Sequence, residues 1–192
     1  MRSPCKRLKR DAGGQAAVET ALMLPFLLAL VFNAVNFGYM FIIALNVAAA
    51  PRSGVEYSIL GNATPGQLIL PDPGPTSTVT SVSYLALNDL TGAISGGGSA
   101  KVQVCTAKSG TTGAGSSQKS VCNQYNSFTA ITPDSDPEAP SFVLNRVDVT
   151  YSFHPLIDHR IFNLILPSSV CPVSGGTVTC TFHRQVSMRS MN

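Results

Sequence analysis

Between Glu19 and Arg52 the chain carries no charged residue. The run Thr20–Ala50 reads TALMLPFLLALVFNAVNFGYMFIIALNVAAA. As an α-helix rising 1.5 Å per residue it is about 45 Å long. A bilayer core asks for about 20 apolar residues, so the run spans one with length to spare. A secretory signal peptide competes for the same residues, having a basic start and an Ala-rich end at Ala48–Ala50. Its apolar region, however, is only about 7–15 residues long. The run therefore predicts an uncleaved membrane-spanning helix.

Charge sets the expected orientation. Of 13 Lys and Arg in 192 residues, Arg2, Lys6, Arg7, Lys9 and Arg10 lie ahead of the run. Positive residues flanking a span stay in the cytoplasm, which places residues 1–14 inside and the chain beyond about residue 45 outside. From Gln15 onward the cations and anions nearly balance, so the body offers no basic groove and no nucleic-acid partner is expected. Only 12% of residues are charged and 44% are hydrophobic, a composition that excludes disorder of the whole chain.

Glu19 stands at the mouth of the apolar run, where a carboxylate is costly unless it is paired or held near the headgroups. Just upstream is the pair Gly13-Gly14, behind the cluster KRLKRD. With Gln15 counted as position one, Glu19 is position five, the arrangement of type IV prepilin-like proteins. The segment GGQAAVETALMLPFLLALVFNAVNFGY resembles the TadE-like family of tight-adherence pilus assembly. Val18, Glu19, Ala21, Leu22, Pro25, Phe37 and Gly38 match its pattern, although Thr20 and Gln15 depart from it. Arg52, Gly54 and Tyr57 resemble the family's exit from the membrane. The resemblance covers residues 13–58. It implies processing by a prepilin peptidase between Gly14 and Gln15, then packing of the helix with other pilin or pseudopilin subunits and the assembly machinery.

The residues carry their own logic beside the resemblance. Gly14 has no Cβ and extends cheaply into a peptidase cleft. Cleavage there creates a cationic amine on Gln15, and Glu19 of one subunit pairing with that amine on a neighbour neutralises two costly charges. The competing reading leaves Glu19 snorkelling at the headgroups without a partner. Pro25 removes a backbone donor and is expected to kink the helix. Asn33 and Asn36 offer hydrogen bonds to another helix, and Ala34 with Gly38 a small-residue face.

Beyond Arg52 the character changes. Residues 61–78 are rich in Pro and Gly and read as linker. Residues 79–87 (VTSVSYLAL) read as a strand from their β-branched and aromatic content. Residues 101–106 alternate as a strand, whereas 91–100 and 108–119 read as Gly/Ser-rich loops. The strongest strand is 143–153, with Val143, Val147, Val149, Tyr151 and Phe153 on one parity, implying an antiparallel sheet with one buried face. Residues 156–166 suit a short apolar helix or packed loop, and 177–188 a last strand. The expected fold is α+β: a basic leader 1–14, a transmembrane pilin-like helix 15–58, a linker 59–78, and a small antiparallel β-rich extracytoplasmic domain 79–192.

Cys5 lies in the leader, leaving Cys105, Cys122, Cys171 and Cys180 outside. Four cysteines allow three connectivities. The sequence-local one, Cys105–Cys122 with Cys171–Cys180, is expected because each pair brackets a Gly-rich turn. A zinc site lacks its CxxC spacing. Catalytic motifs are missing as well: there is no HExxH, no GK[ST] phosphate loop and no G-x-S-x-G elbow. His154, Asp158 and His159 read as a strand end rather than a metal site. The acidic loop around Asp134, Asp136 and Glu138 has carboxylates at alternate positions, as calcium sites do, but lacks the EF-hand glycine. No cofactor and no metal are expected. The sequence thus reads as a non-catalytic minor pilin or pseudopilin held in the cytoplasmic membrane, its head periplasmic or extracellular. The alternative is a signal-anchored surface-binding protein that no prepilin peptidase cuts.

Overall fold

The computed structural model describes residues 5–60, 69–91, 100–156, 171–174 and 177–191. Helix α1 runs unbroken over Cys5–Leu60, passing through both Pro25 and Pro51. Its Gly14–Leu60 portion is long and apolar enough to cross a membrane. From Gly14 to Leu28 every residue is exposed, including Val18, Leu22, Phe26 and Leu27. Burial begins around Asn33 and continues through Asn36, Ile43, Val47, Ala50, Val55 and Ser58. One helix therefore has two halves: bare on all sides and largely apolar at first, then covered on one side.

The buried side faces a four-stranded antiparallel sheet of order β2-β1-β3-β6. Its strands are β1 (Ala100–Thr112), β2 (Lys119–Tyr125), β3 (Phe142–Phe153) and β6 (Cys180–Met191). Between β3 and β6 a small hairpin pairs β4 (Val173–Ser174) with β5 (Thr177–Val178). β3 is the centre because its Val and aromatic residues alternate, setting Val147, Val149, Tyr151 and Phe153 against the helix with Val102 and Val104 of β1. β3 runs antiparallel to α1. The Phe153 ring meets Tyr39, their centroids 5.5 Å apart. Asn145, near the other end, donates to Ser58 Oγ at 3.3 Å.

Gly54 sits where three elements converge. A Cβ there would stand 3.2 Å from Ala86 Cβ and 3.4 Å from Val147 Cγ1, so glycine sets how closely the second helix and β3 approach α1. That second helix, α2, covers Val82–Thr91. It replaces the strand expected over 79–87. Val82, Ala86 and Leu90 recur at helical spacing and are fully buried, and Ser81 caps the first turn by accepting the Tyr84 amide at 3.2 Å. Burial of one helical stripe outweighed the β propensity of Val and Tyr.

The expected loop at 108–119 is also shorter than read. β1 extends to Thr112 across an irregularity between Thr106 and Thr111, and a 3₁₀ turn at Gly115–Ser117 leads into β2. The strands expected at 101–106, 143–153 and 177–188 are present, the last divided between β5 and β6. The apolar segment 156–166 lies almost wholly outside the described residues, as do Asp158, His159 and most of the loop 91–100.

Candidate functional site

The processing and assembly residues read from the sequence lie together on the first exposed turns of α1. Gly14, Gln15 and Glu19 are all helical and exposed, and a Cβ at Gly14 would meet nothing within 4 Å. Glu19 has no hydrogen-bond or ion-pair partner among the described residues. Next to it, Thr20 Oγ1 donates to the Ala16 carbonyl at 2.9 Å, keeping its hydroxyl within the helix. The small face of Ala34 and Gly38 is exposed, with nothing within 4 Å of a Cβ built at Gly38. Asn33 turns inward instead of toward another helix: it is buried, and its Nδ2 donates to the Ala29 carbonyl at 2.8 Å. At the other end of the motif, Arg52 pairs with Glu56 at 3.0 Å on the surface and Tyr57 donates to the Thr80 carbonyl.

The head places Cys105 and Cys122 opposite each other on β1 and β2, with Sγ atoms 2.08 Å apart. Cys171 and Cys180 are bonded at 1.95 Å, closing the hairpin onto the start of β6. Both pairs are the sequence-local ones. Such links stabilise by restricting the unfolded chain, typically by about 2–4 kcal/mol each.

The face of the sheet turned away from α1 departs from the expectation of one buried face. Arg146 and Asp148, of the polar parity on β3, are buried there. Arg146 donates through Nε to Asp148 Oδ2 and through Nη2 to Oδ1, both at 2.7 Å. His183 Nε2 lies 3.0 Å from the same Oδ1. The reason is the segment 126–141, which crosses this face and shuts out water. It is fastened by Gln103, whose Nε2 donates to the Ile131 carbonyl at 2.6 Å and whose Oε1 accepts the Ile131 amide at 2.9 Å. A buried bidentate pair of opposite charges makes such coverage tolerable. An Arg and an Asp two apart in a strand was the available signal, but nothing local showed that a loop would cover them.

Two carboxylates of the acidic loop, those of Asp136 and Glu138, are already engaged. Arg189 of β6 donates to Asp136 at 2.8 Å and to Glu138 at 3.1 Å. Asp136 also accepts the Glu138 amide, and these two donors hold its carboxyl below the ordinary carboxylate range. His154 is exposed, its Nδ1 near the Val178 carbonyl and Thr179 Oγ1. Among the described residues no three His, Cys, Asp or Glu side chains gather as metal ligands would.

Among the described residues these features define a class: an α+β protein in which one long apolar helix leaves one half bare and makes the other the spine of an antiparallel head. Within that class, residues 14–55 match the family model of TadE-like proteins. In this segment the chain is similar to TadE-like proteins, in agreement with the resemblance of its N-terminal motif. No curated protein and no solved structure matches the chain.

Proposed function

We propose that the protein is a non-catalytic minor pilin or pseudopilin of tight-adherence pilus assembly. The observation that carries this reading is the coincidence of the TadE-like match at 14–55 with a helix that is bare from Gly14 to Leu28, apolar there but for Gln15, Glu19 and Thr20, and packed by its own head beyond Asn33. The bare stretch through Val31 is about 27 Å long, close to the hydrocarbon thickness of a bilayer. It anchors the chain in the cytoplasmic membrane, leader inside and head outside. A prepilin peptidase removes residues 1–14, and the bare helix then packs among other pilin subunits with Glu19 meeting the Gln15 amine of a neighbour.

The Gly14–Gln15 bond is helical, so a peptidase must unwind the chain there. Gly13-Gly14 lowers that cost, glycine being about 1 kcal/mol poorer than alanine in a helix. Intact-mass measurement on membrane-extracted protein tests the reading. The expected mature chain begins at Gln15, and Gly14→Val retains the 14-residue leader while still partitioning into membranes. A wild-type chain beginning at Met1 refutes processing and leaves a signal-anchored surface protein.

A further inference from the structure

The packing of β3 on α1 fixes the height of the head above the bare helix. Phe153 meets Tyr39 at one end of the strand, and Asn145 meets Ser58 toward the other. The strand between these points is about 26 Å long and the helix about 28 Å, so the two run side by side with little tilt. Tyr39 stands about 12 Å along the axis from Val31, where the bare stretch ends. Phe153 and its partner Cys180 lie at that height and close the β3–β6 ladder. β3 leaves the sheet there and β6 enters it, so what lies beyond is nearer still to the bare helix.

Two short segments form this end of the head. Val178 precedes Cys180 by about 7 Å of extended chain, and Val173 pairs with it across the hairpin. Val173 thus stands only about 5 Å beyond the level of Val31. His154 Nδ1 lies 3.3 Å from the Val178 carbonyl, which holds the exit of β3 beside the hairpin and leads Pro155 and Leu156 down the same side. The headgroup layer of a bilayer is about 5–8 Å deep, and this end reaches into it. Its surface is apolar: Leu156 is 62% exposed and Val173 47%, with Pro172 exposed beside them. Residues 154–156, 171–173 and 178–179 include no Asp, Glu, Lys or Arg. Lys119, Glu138 and Arg189 lie toward the opposite end of the sheet.

We infer that this end of the head rests on the bilayer, with Leu156 and Val173 inserted among the lipid headgroups beside α1. The inference rests on the membrane-anchored reading above. The occupant is lipid because α1 itself sets the height: once Gly14–Val31 fills the hydrocarbon, these side chains stand at the headgroup level. Insertion takes them out of water, and a rim without ions loses no charge hydration there. The head then touches the membrane at two points and stands upright instead of swinging about the helix.

The test places a nitroxide on the full chain in phosphatidylcholine–phosphatidylglycerol vesicles, with Cys5→Ser removing the unpaired thiol. Leu156→Cys and Val173→Cys carry the label in turn, Phe26→Cys marks the hydrocarbon and Ser116→Cys the far end of the head. Collisions with a water-soluble nickel chelate are expected to fall at least about threefold at 156 and 173 relative to 116, while collisions with oxygen rise. Labels at 156 and 173 as open to the chelate as the one at 116 overturn the inference. So does protection that vanishes when each vesicle holds a single chain, which marks cover by a neighbouring copy. Near-ultraviolet circular dichroism matching wild type shows that each labelled head is folded. The anchor reading fails separately, by chelate access at position 26. Protection at 26 with full access at 156 and 173 overturns the seating alone.

Discussion

Asp148 shows how one carboxylate organises a surface. Its side chain is fully buried, the Arg146 side chain is 7% exposed, and the imidazole of His183 leans on the same oxygen from the next strand. Removing one member strands the other's charge beneath the 126–141 segment. Asp148→Asn is therefore expected to cost about 3–5 kcal/mol, whereas the double change Arg146→Met with Asp148→Leu recovers most of that loss. Urea unfolding of the detergent-solubilised chain, followed by near-ultraviolet circular dichroism, measures both. A single variant as stable as wild type contradicts the account of this pair.

At the scale of elements, the 126–141 segment and β6 are joined by Asp136, Glu138 and Arg189. The Glu138 amide, and after it Arg189, lower the Asp136 carboxyl below its ordinary value of 3.8. The folded state thus favours the charged form, and the tether contributes above the ordinary carboxylate range and fades as pH falls through the lowered value. The stability difference between wild type and Arg189→Gln is expected to hold from neutral pH to about 5 and to close below about 4. A difference that closes near pH 6.5 instead points to histidine and away from this tether.

Elements were legible to the extent that burial followed a single period. The run after Glu19 and the alternation of β3 each declared themselves, as every second or every neighbouring position told the same story. α2 did not, because VSYLAL is β-rich in composition and helical only in the spacing of Val82, Ala86 and Leu90. Ser81, a cap rather than a strand residue, was the missed cue. The Gly14–Glu19 pattern has local spacing, so the proposal of processing there can be drawn from the sequence alone. The Arg146–Asp148–His183 network was not legible, since it depends on Gln103 reaching 28 residues along the chain to hold Ile131.

For the whole molecule, the decisive residue is Glu19, exposed and without a hydrogen-bond or ion-pair partner among the described residues. Under the proposed assembly, Glu19→Gln keeps membrane insertion and leader removal but weakens association with other pilin helices, because the neighbouring Gln15 amine loses its counter-charge. Co-purification with pilin partners measures this. Wild-type yield together with normal pili would show that the carboxylate merely reaches the headgroups.

The antiparallel lie of β3 along α1 has a mechanical side. A pull on the head directed along the helix does not peel the sheet away one residue at a time. It slides β3 past the helix and past β6, to which β3 is paired from Phe142–Met191 to Phe153–Cys180. Bonds loaded side by side share the force, whereas bonds opened in series break singly. Tension between a gripped anchor and a snagged head is thus carried in shear, the direction in which this architecture yields last.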